Sequence, residues 1–194
     1  VQEFVKRYYQ DATYTPREIL LPCEIAEIDI IETWLQQKSG RKVVVLSRGY
    51  KGSSKGAAIV SDGKEILLGP EEAGDEPYLM ASRLKGIPVV VCGDRVKGGR
   101  FIIERFSPDV IVLDDAFQHM RLRRDVNIVL IDGAEGFGPG HLLPRGTLRE
   151  PISSLRRADI ALVKGELTNG REREALQRYS VPCMAFNYSP AAIY

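Results

Sequence analysis

Short apolar runs alternate with amphipathic and polar stretches along most of the chain. Residues 43–46, 88–92, 110–113 and 160–163 are continuous apolar runs, rich in β-branched residues and too short for helices. They read as strands buried on both faces of a parallel sheet. Residues 127–131 form a further strand ending at Asp132, and 181–187 are the last strand candidate. Elsewhere the period changes. Ile25, Ile28, Ile31 and Leu35 recur at spacings of three and four within 24–37, which predicts an amphipathic helix ended by Ser39-Gly40. Thr15 and Pro16 are a cap and first position for an earlier helix, which Pro22 interrupts; 1–14 has no clean period. A helix through Leu84 opens with Asp75 as N-cap and Pro77 in its first turn, and others are expected over 97–106, 153–157 and 171–178. Residues 57–61 and 65–68 read as a small hairpin joined by Asp62-Gly63. Residues 133–151 form a long loop rich in Gly and Pro, and there is no internal repeat or low-complexity tract. Strands alternating with helices predict an α/β fold: a doubly wound, mainly parallel sheet in a three-layer sandwich.

Composition narrows this only a little. The 194 residues suffice for one domain with a full core, and 44% hydrophobic and 27% charged residues are ordinary for a soluble globular chain. A net charge of +1 gives no electrostatic argument for nucleic acid or for an anionic membrane surface. Cys23, Cys92 and Cys183 are odd in number, far apart and without metal-ligand spacing, so neither a disulfide framework nor a cysteine metal site is expected. No apolar stretch approaches the roughly 18 residues needed to span a bilayer. Residues 1–10 carry Glu3, Lys6 and Arg7 and do not read as a signal peptide, and the chain starts at Val1 rather than Met, as a processed or trimmed chain would.

The chemistry sits at the carboxyl ends of the strands. Residues 110–113 run straight into Asp114 and Asp115, then Gln118 and His119. Ligands of open α/β sheets gather at such strand ends, and an apolar strand ending in adjacent carboxylates is how P-loop NTPases hold Mg²⁺. Ser47-Arg48-Gly49-Tyr50 follows the strand at 43–46, and Gly93-Asp94-Arg95 follows 88–92. Each cluster alone is weak; three on one rim are a site. Arg121, Arg123, Arg124, Arg156 and Arg157 read as a solvated face, His141 as a surface residue and Cys92 as a small core residue.

The motifs Leu-Ser-Arg-Gly-Tyr (46–50), Glu-Ala-Gly-Asp-Glu-Pro (72–77), Asp94-Arg95, Leu-Asp-Asp-Ala-Phe-Gln-His (113–119), Arg124-Asp125 and Leu-Leu-Pro-Arg-Gly-Thr-Leu-Arg-Glu-Pro (142–151) occur in that order. Together they resemble the tetraacyldisaccharide 4′-kinases, the lipid A 4′-kinases of Gram-negative bacteria, over roughly residues 41–166. The resemblance implies a P-loop NTPase-like kinase that moves the γ-phosphoryl of ATP to the 4′-hydroxyl of a tetraacylated glucosamine disaccharide 1-phosphate. By motif, Asp94 is then the general base and Asp115, Gln118 and His119 serve catalysis. Asp114 and Glu150 engage Mg²⁺, and Arg48 and Arg149 contact nucleotide or substrate. It further implies a monomer that binds no nucleic acid, working at the cytoplasmic face of the inner membrane and held there by segments outside this otherwise soluble chain. Residues 1–164 would be the nucleotide- and substrate-binding core, with 1–40 divergent, and 165–194 the start of a second lobe.

Three departures stand out. Where the family carries a Gly-rich phosphate loop, about residues 20–26, this chain reads Leu-Leu-Pro-Cys-Glu-Ile-Ala, without Gly, Lys or a hydroxyl. Such a loop holds phosphate through backbone N–H groups freed by glycine, with Lys and a hydroxyl on phosphate and Mg²⁺, so this chain is expected to bind MgATP poorly. Ala116 replaces a Gly after Asp114-Asp115, which is tolerable if that position is not left-handed. The family's amino-terminal membrane helix and most of its second lobe have no counterpart. Two readings stay open: a lipid kinase, whole or in part, and a non-catalytic member that binds an anionic glycolipid without turning over ATP. A dinucleotide or nucleotide-sugar enzyme comes third, since no Gly-x-Gly-x-x-Gly opens a helix.

Overall fold

The computed structural model describes residues 41–168 and 170–187. The helix expected over 24–37, the Thr15 cap and the segment 20–26 lie outside them. Seven strands alternate with helices: β1 (Val43–Ser47), β2 (Ala57–Asp62), α1 (Pro70–Ala73), α2 (Asp75–Arg83), β3 (Pro88–Cys92), α3 (Arg95–Phe106), β4 (Val110–Leu113), β5 (Ile128–Asp132), a 3₁₀ turn (Ile152–Arg157), β6 (Ile160–Lys164), α4 (Gly170–Arg178) and β7 (Cys183–Phe186). The apolar runs expected to be strands are strands. Among the described residues they form two hydrogen-bonded sheets, ordered β2-β3-β1-β4 and β5-β6-β7.

The first sheet has β1 at its centre, parallel to β3 on one side and to β4 on the other, with Val45 opposite both Val89 and Val112. Every β1 and β4 residue is buried. Their side chains alternate between faces, as a period of two requires. Val43, Val45, Val110 and Val112 pack on one face with Ala81 and Leu84 at the end of α2. Val44, Leu46, Ile111 and Leu113 pack on the other with Ile102 of α3. Helices therefore cover both faces, which is why these strands carry no polar alternation.

Three expectations need correction. The strands do not make a single sheet: no ladder joins β4 to β5 among the described residues, although Ile128, Ile160 and Leu162 share a core with Val110 and Val112. Asn127, entering β5, gives its N–H to the Asp159 carboxylate (2.7 Å) and its carbonyl accepts from Asp159 and Ile160, so β5 is tied to β6 from its first residue. The 57–68 excursion is not a two-stranded hairpin either. β2 pairs antiparallel with β3 along its length, and the second arm contributes only the Ser61–Ile66 bridge. A buried apolar partner strand wins over a short exposed arm containing Ile66 and Leu67. The helix after Gly74 is capped by Gly74 itself, with Asp75 as its first helical residue. On either side of residue 164 the chain contributes to the second sheet. β7 pairs parallel with β6, and Ala175, Leu176 and Val181 pack with Ala161 and Val163.

Helix α3 approaches the sheet closely at Gly98, where a Cβ would lie 2.8 Å from the Cβ of Cys92 and 2.8 Å from Cδ1 of Leu46. An alanine would gain about 1 kcal/mol of helix propensity, but overpacking a filled core costs about 1–3 kcal/mol. Gly98→Ala should lower the urea midpoint at unchanged m-value; a raised midpoint would mean that α3 moves off the sheet without cost.

Candidate active site

Because β1, β3 and β4 are parallel neighbours, their carboxyl ends share one rim. The clusters at Ser47–Arg48, Asp94–Arg95 and Asp114–His119 follow those ends directly, so all three stand on it.

The innermost contact joins two of them. Ser47 Oγ donates to Asp114 Oδ2 at 2.7 Å, and both residues are buried. Arg95, the first residue of α3, is only 1% exposed. Its Nη1 donates to the Cys92 carbonyl at 2.8 Å and its Nη2 to the Asp114 carbonyl at 3.0 Å. One guanidinium thus bridges the ends of β3 and β4. Burial pulls its pKa down, Asp114 opposes the shift, and the neighbouring Arg48 adds to it. Its Nε has no hydrogen-bond partner among the described residues.

Beyond Asp114 the chain turns sharply. Asp115 has φ +46, a left-handed conformation that Asp tolerates better than most residues. Ala116 is not left-handed and is buried, so the alanine costs nothing there. The Asp115 carboxylate points into solvent and meets Arg149, whose Nη1 donates to both oxygens at 2.7 Å. Arg149 is thereby drawn from the long loop onto the rim. Glu150, expected at the metal, is paired with Arg157 instead. Gln118 is exposed. His119 is half-buried, and burial first, then the positive charges of Arg95 and Arg48, depress its pKa. Arg48 is exposed and close enough to influence both Arg95 and His119.

Asp94 has a structural role. It is the N-cap of α3, and its Oδ1 accepts from Val96 N at 3.0 Å and Lys97 N at 3.2 Å. Those bonds, that to Lys97 foremost, hold its pKa below the usual carboxylate value, with Arg121 contributing. Oδ2 takes no part in the cap. The carboxylate lines a cavity of about 390 Å³ together with His119, Arg121 and Leu122. A larger cavity, about 690 Å³, is lined by Gly165, Leu167 and Leu176 on the β6–α4–β7 side and holds none of the expected site residues.

Two features escape sequence reasoning. The residue pattern places Asp75 at the cap, yet Gly74 holds it. Gly74 has φ +91 and a Cβ there would stand 2.5 Å from the Tyr50 carbonyl, so Asp75 is set beside the loop that leaves β1. Its exposed carboxylate makes no hydrogen bond among the described residues. The arginines read as a solvated face also divide. Arg121, Arg123 and Arg156 are exposed. Arg124 donates to the carbonyls of Ala116 and His119 and to Asn127 Oδ1, and Arg157 reaches Phe117 and Glu150. Nothing in the spacing separates these two from their neighbours.

A histidine with a depressed pKa binds fewer protons in the folded than in the unfolded state. Stability then rises with pH: it is fully present above the unfolded value of about 6.5 and falls as pH drops from there through the folded pKa. The His119 Cε1 proton resonance should titrate below 6.5, and His119→Gln should flatten the pH dependence of the urea midpoint in that window. Titration of His119 at or above the ordinary value would contradict the geometry.

The match to known proteins covers most of this architecture. The family model of tetraacyldisaccharide-1-P 4′-kinase (LpxK) matches residues 28–193. The tetraacyldisaccharide 4′-kinase of Halothermothrix orenii is 42% identical over 160 residues, 79% of this chain and 42% of the relative. That of Syntrophus aciditrophicus is 45% identical over 174 residues, 82% of this chain and 46% of the relative. The chain therefore spans less than half the length of these curated relatives. The crystal structure of "apo" form LpxK from Aquifex aeolicus in complex with ATP superimposes with a TM-score of 0.63 at 27% identity, covering 97% of this chain and 80% of that one. Since the matched span takes in all seven described strands and the whole rim, the chain belongs to the tetraacyldisaccharide-1-P 4′-kinase family.

Proposed function

We propose that this rim transfers the γ-phosphoryl of ATP to the 4′-hydroxyl of an acylated glucosamine disaccharide 1-phosphate, at the cytoplasmic face of the inner membrane. The observation that carries the reading is the joining of β1, β3 and β4 through Ser47, Arg95 and Asp114, which fixes a buried carboxylate and a buried guanidinium where the three strand ends meet in a member of this family. Phosphoryl transfer requires positioning and charge rather than a protein nucleophile, and the rim offers both.

The donor set suits Mg²⁺. Among the described residues no group of three or more His, Cys, Asp or Glu could cage a metal, but Mg²⁺ usually takes only one or two carboxylates, completed by phosphates and water. Asp114, oriented by Ser47, and the exposed Asp115 would hold it; bound there, it neutralises charge on the phosphates. Arg149 and Arg48 offer guanidinium forks to phosphate oxygens. His119, its pKa depressed, lines the cavity with Asp94, and Gln118 stands exposed next to it in the same turn. Glu150 would reach the metal only by leaving Arg157.

Asp94 accepts the proton of the attacking hydroxyl through Oδ2, while Oδ1 stays with the helix cap. A second carboxylate is favoured as the base by one observation, that Asp75 stands beside the loop leaving β1 and has no capping role. The alternative function, glycolipid binding without turnover, draws on the missing Gly-Lys loop at 20–26.

The assay is transfer of labelled phosphate from saturating MgATP to the acylated disaccharide 1-phosphate. Asn preserves the cap, so Asp94→Asn should keep the fold and lower kcat by about 10² to 10⁴, a normal general-base contribution, with little change in KM. A silent Asp94→Asn beside a comparable loss in Asp75→Asn moves the base to Asp75. Retained binding of the disaccharide with no transfer by the parent chain supports the non-catalytic alternative.

A further inference from the structure

The rim is assembled from two segments that share no strand: the turn after β4, carrying Asp115, Gln118 and His119, and the 133–151 loop, carrying Arg149 and Glu150. Something must hold them in register, and Asp115–Arg149 is too exposed to do so alone, with its side chains 52% and 60% accessible. Exposed pairs of this kind contribute little, because water screens them.

Arg157 stands between the two segments. It ends the 3₁₀ turn that leads into β6, so its backbone is anchored next to the second sheet. Its guanidinium lies over the Phe117 ring, 4.3 Å from the centroid. Nη1 donates to the Phe117 carbonyl at 3.3 Å and contacts the Met120 sulfur, while Nη2 pairs with Glu150. The side chains of this pair are only 20% and 23% accessible, so water competes less than at Asp115–Arg149. One planar cation grips the β4 turn through a ring face and a carbonyl, and the opposite segment through Glu150. A stacked, forked geometry of this kind is what lysine cannot reproduce.

We infer that Arg157 is a positioning residue for phosphoryl transfer: it latches the Phe117–Met120 turn to Glu150, and thereby sets Gln118 and His119 opposite Arg149. Glu150 then serves as the latch's other half rather than as a metal ligand. The inference rests on the proposed kinase reading only for its effect on turnover; the latch itself is a statement about His119.

The variants are Arg157→Lys, Arg157→Gln and Glu150→Gln, each checked for cooperative unfolding. The chain has two histidines, His119 and His141, so their Cε1 resonances are readily resolved. In the parent, His119 titrates below the ordinary value because of burial and of Arg95 and Arg48, with Asp115 opposing and Arg124 adding to the shift. Releasing the turn should expose the ring and move its titration upward in all three variants, Lys included, with His141 unmoved. In the transfer assay, kcat should fall about 10- to 100-fold, the scale of a displacement of about 1 Å, with KM for the disaccharide changed less than about threefold. Glu150→Gln keeps the stack on Phe117 and is expected to fold even if Arg157→Gln does not. A folded Glu150→Gln or Arg157→Lys whose His119 titration matches the parent overturns the latch. If the parent transfers no phosphate, the kinase reading fails and the titration still decides the latch.

Discussion

The arrangement at the rim depends on one buried contact, the Ser47–Asp114–Arg95 node. A carboxylate as buried as that of Asp114, at 3% exposure, must be satisfied and held in direction by the protein rather than by water. Ser47 fixes one oxygen, and the Asp114 carbonyl is held from below by Arg95. Removing a guanidinium from water costs several kcal/mol even after relaxation. Here that cost is offset by two carbonyl acceptors at strand ends and by the charges of Asp114 and Asp115. The compensation exists only while β3, β1 and β4 keep their parallel register. Register and charge therefore enforce each other: a slip of β4 would strand Arg95, and loss of Arg95 would leave two strand-end carbonyls unpaired.

From that node outward, arginines hold what the sheet does not. Arg124 gathers the carbonyls of Ala116 and His119, and reaches Asn127, itself bonded to Asp159. This is the described link from the β4 turn towards the β5–β6 sheet where no ladder runs. Arg157 and Arg149 make further ties to the same turn. Planar multi-donor side chains suit loop carbonyls and carboxylates because each can satisfy several acceptors without regular secondary structure. Among the described residues the split between the two sheets is thus bridged by side chains and by a shared apolar core rather than by a strand ladder.

Much of this is legible in the sequence, for definite reasons. Strands such as 110–113 announce themselves because burial on both faces excludes polar residues, and parallel order then brings 47, 94 and 114 to one rim without any contact being known. What is not legible depends on distance across the fold. Asp62-Gly63 is a sound hairpin signal, but the sequence does not say that β3 will claim the first arm. Gly74 takes the cap from Asp75 because Tyr50, 24 residues earlier, leaves no space for a Cβ. Arg156 and Arg157 are neighbours of one type, and only the position of Phe117 makes one a surface residue and the other a stacked partner. The break between β4 and β5 has no local signature either.

Asp94 and Asp75 show how the same side chain acquires different chemistry from its place at a helix start. Asp94 stands before α3, where unpaired N–H groups of the first turn take its Oδ1 and lower its pKa. It is fixed in direction but weakened as a base. Asp75 lies one position inside α2, beyond the reach of a capping bond, and is exposed. Its direction is less constrained. In phosphoryl transfer most of the barrier is lowered by alignment and charge, and the base takes its proton late. On the proposed kinase reading orientation therefore outweighs basicity, which favours the capped carboxylate as the base. Asp94 lines a cavity together with His119 and Arg121, and on that reading the hydroxyl would enter there. On the proposed kinase reading the helix cap serves catalysis as well as folding, because the bonds that start α3 also hold the carboxylate still.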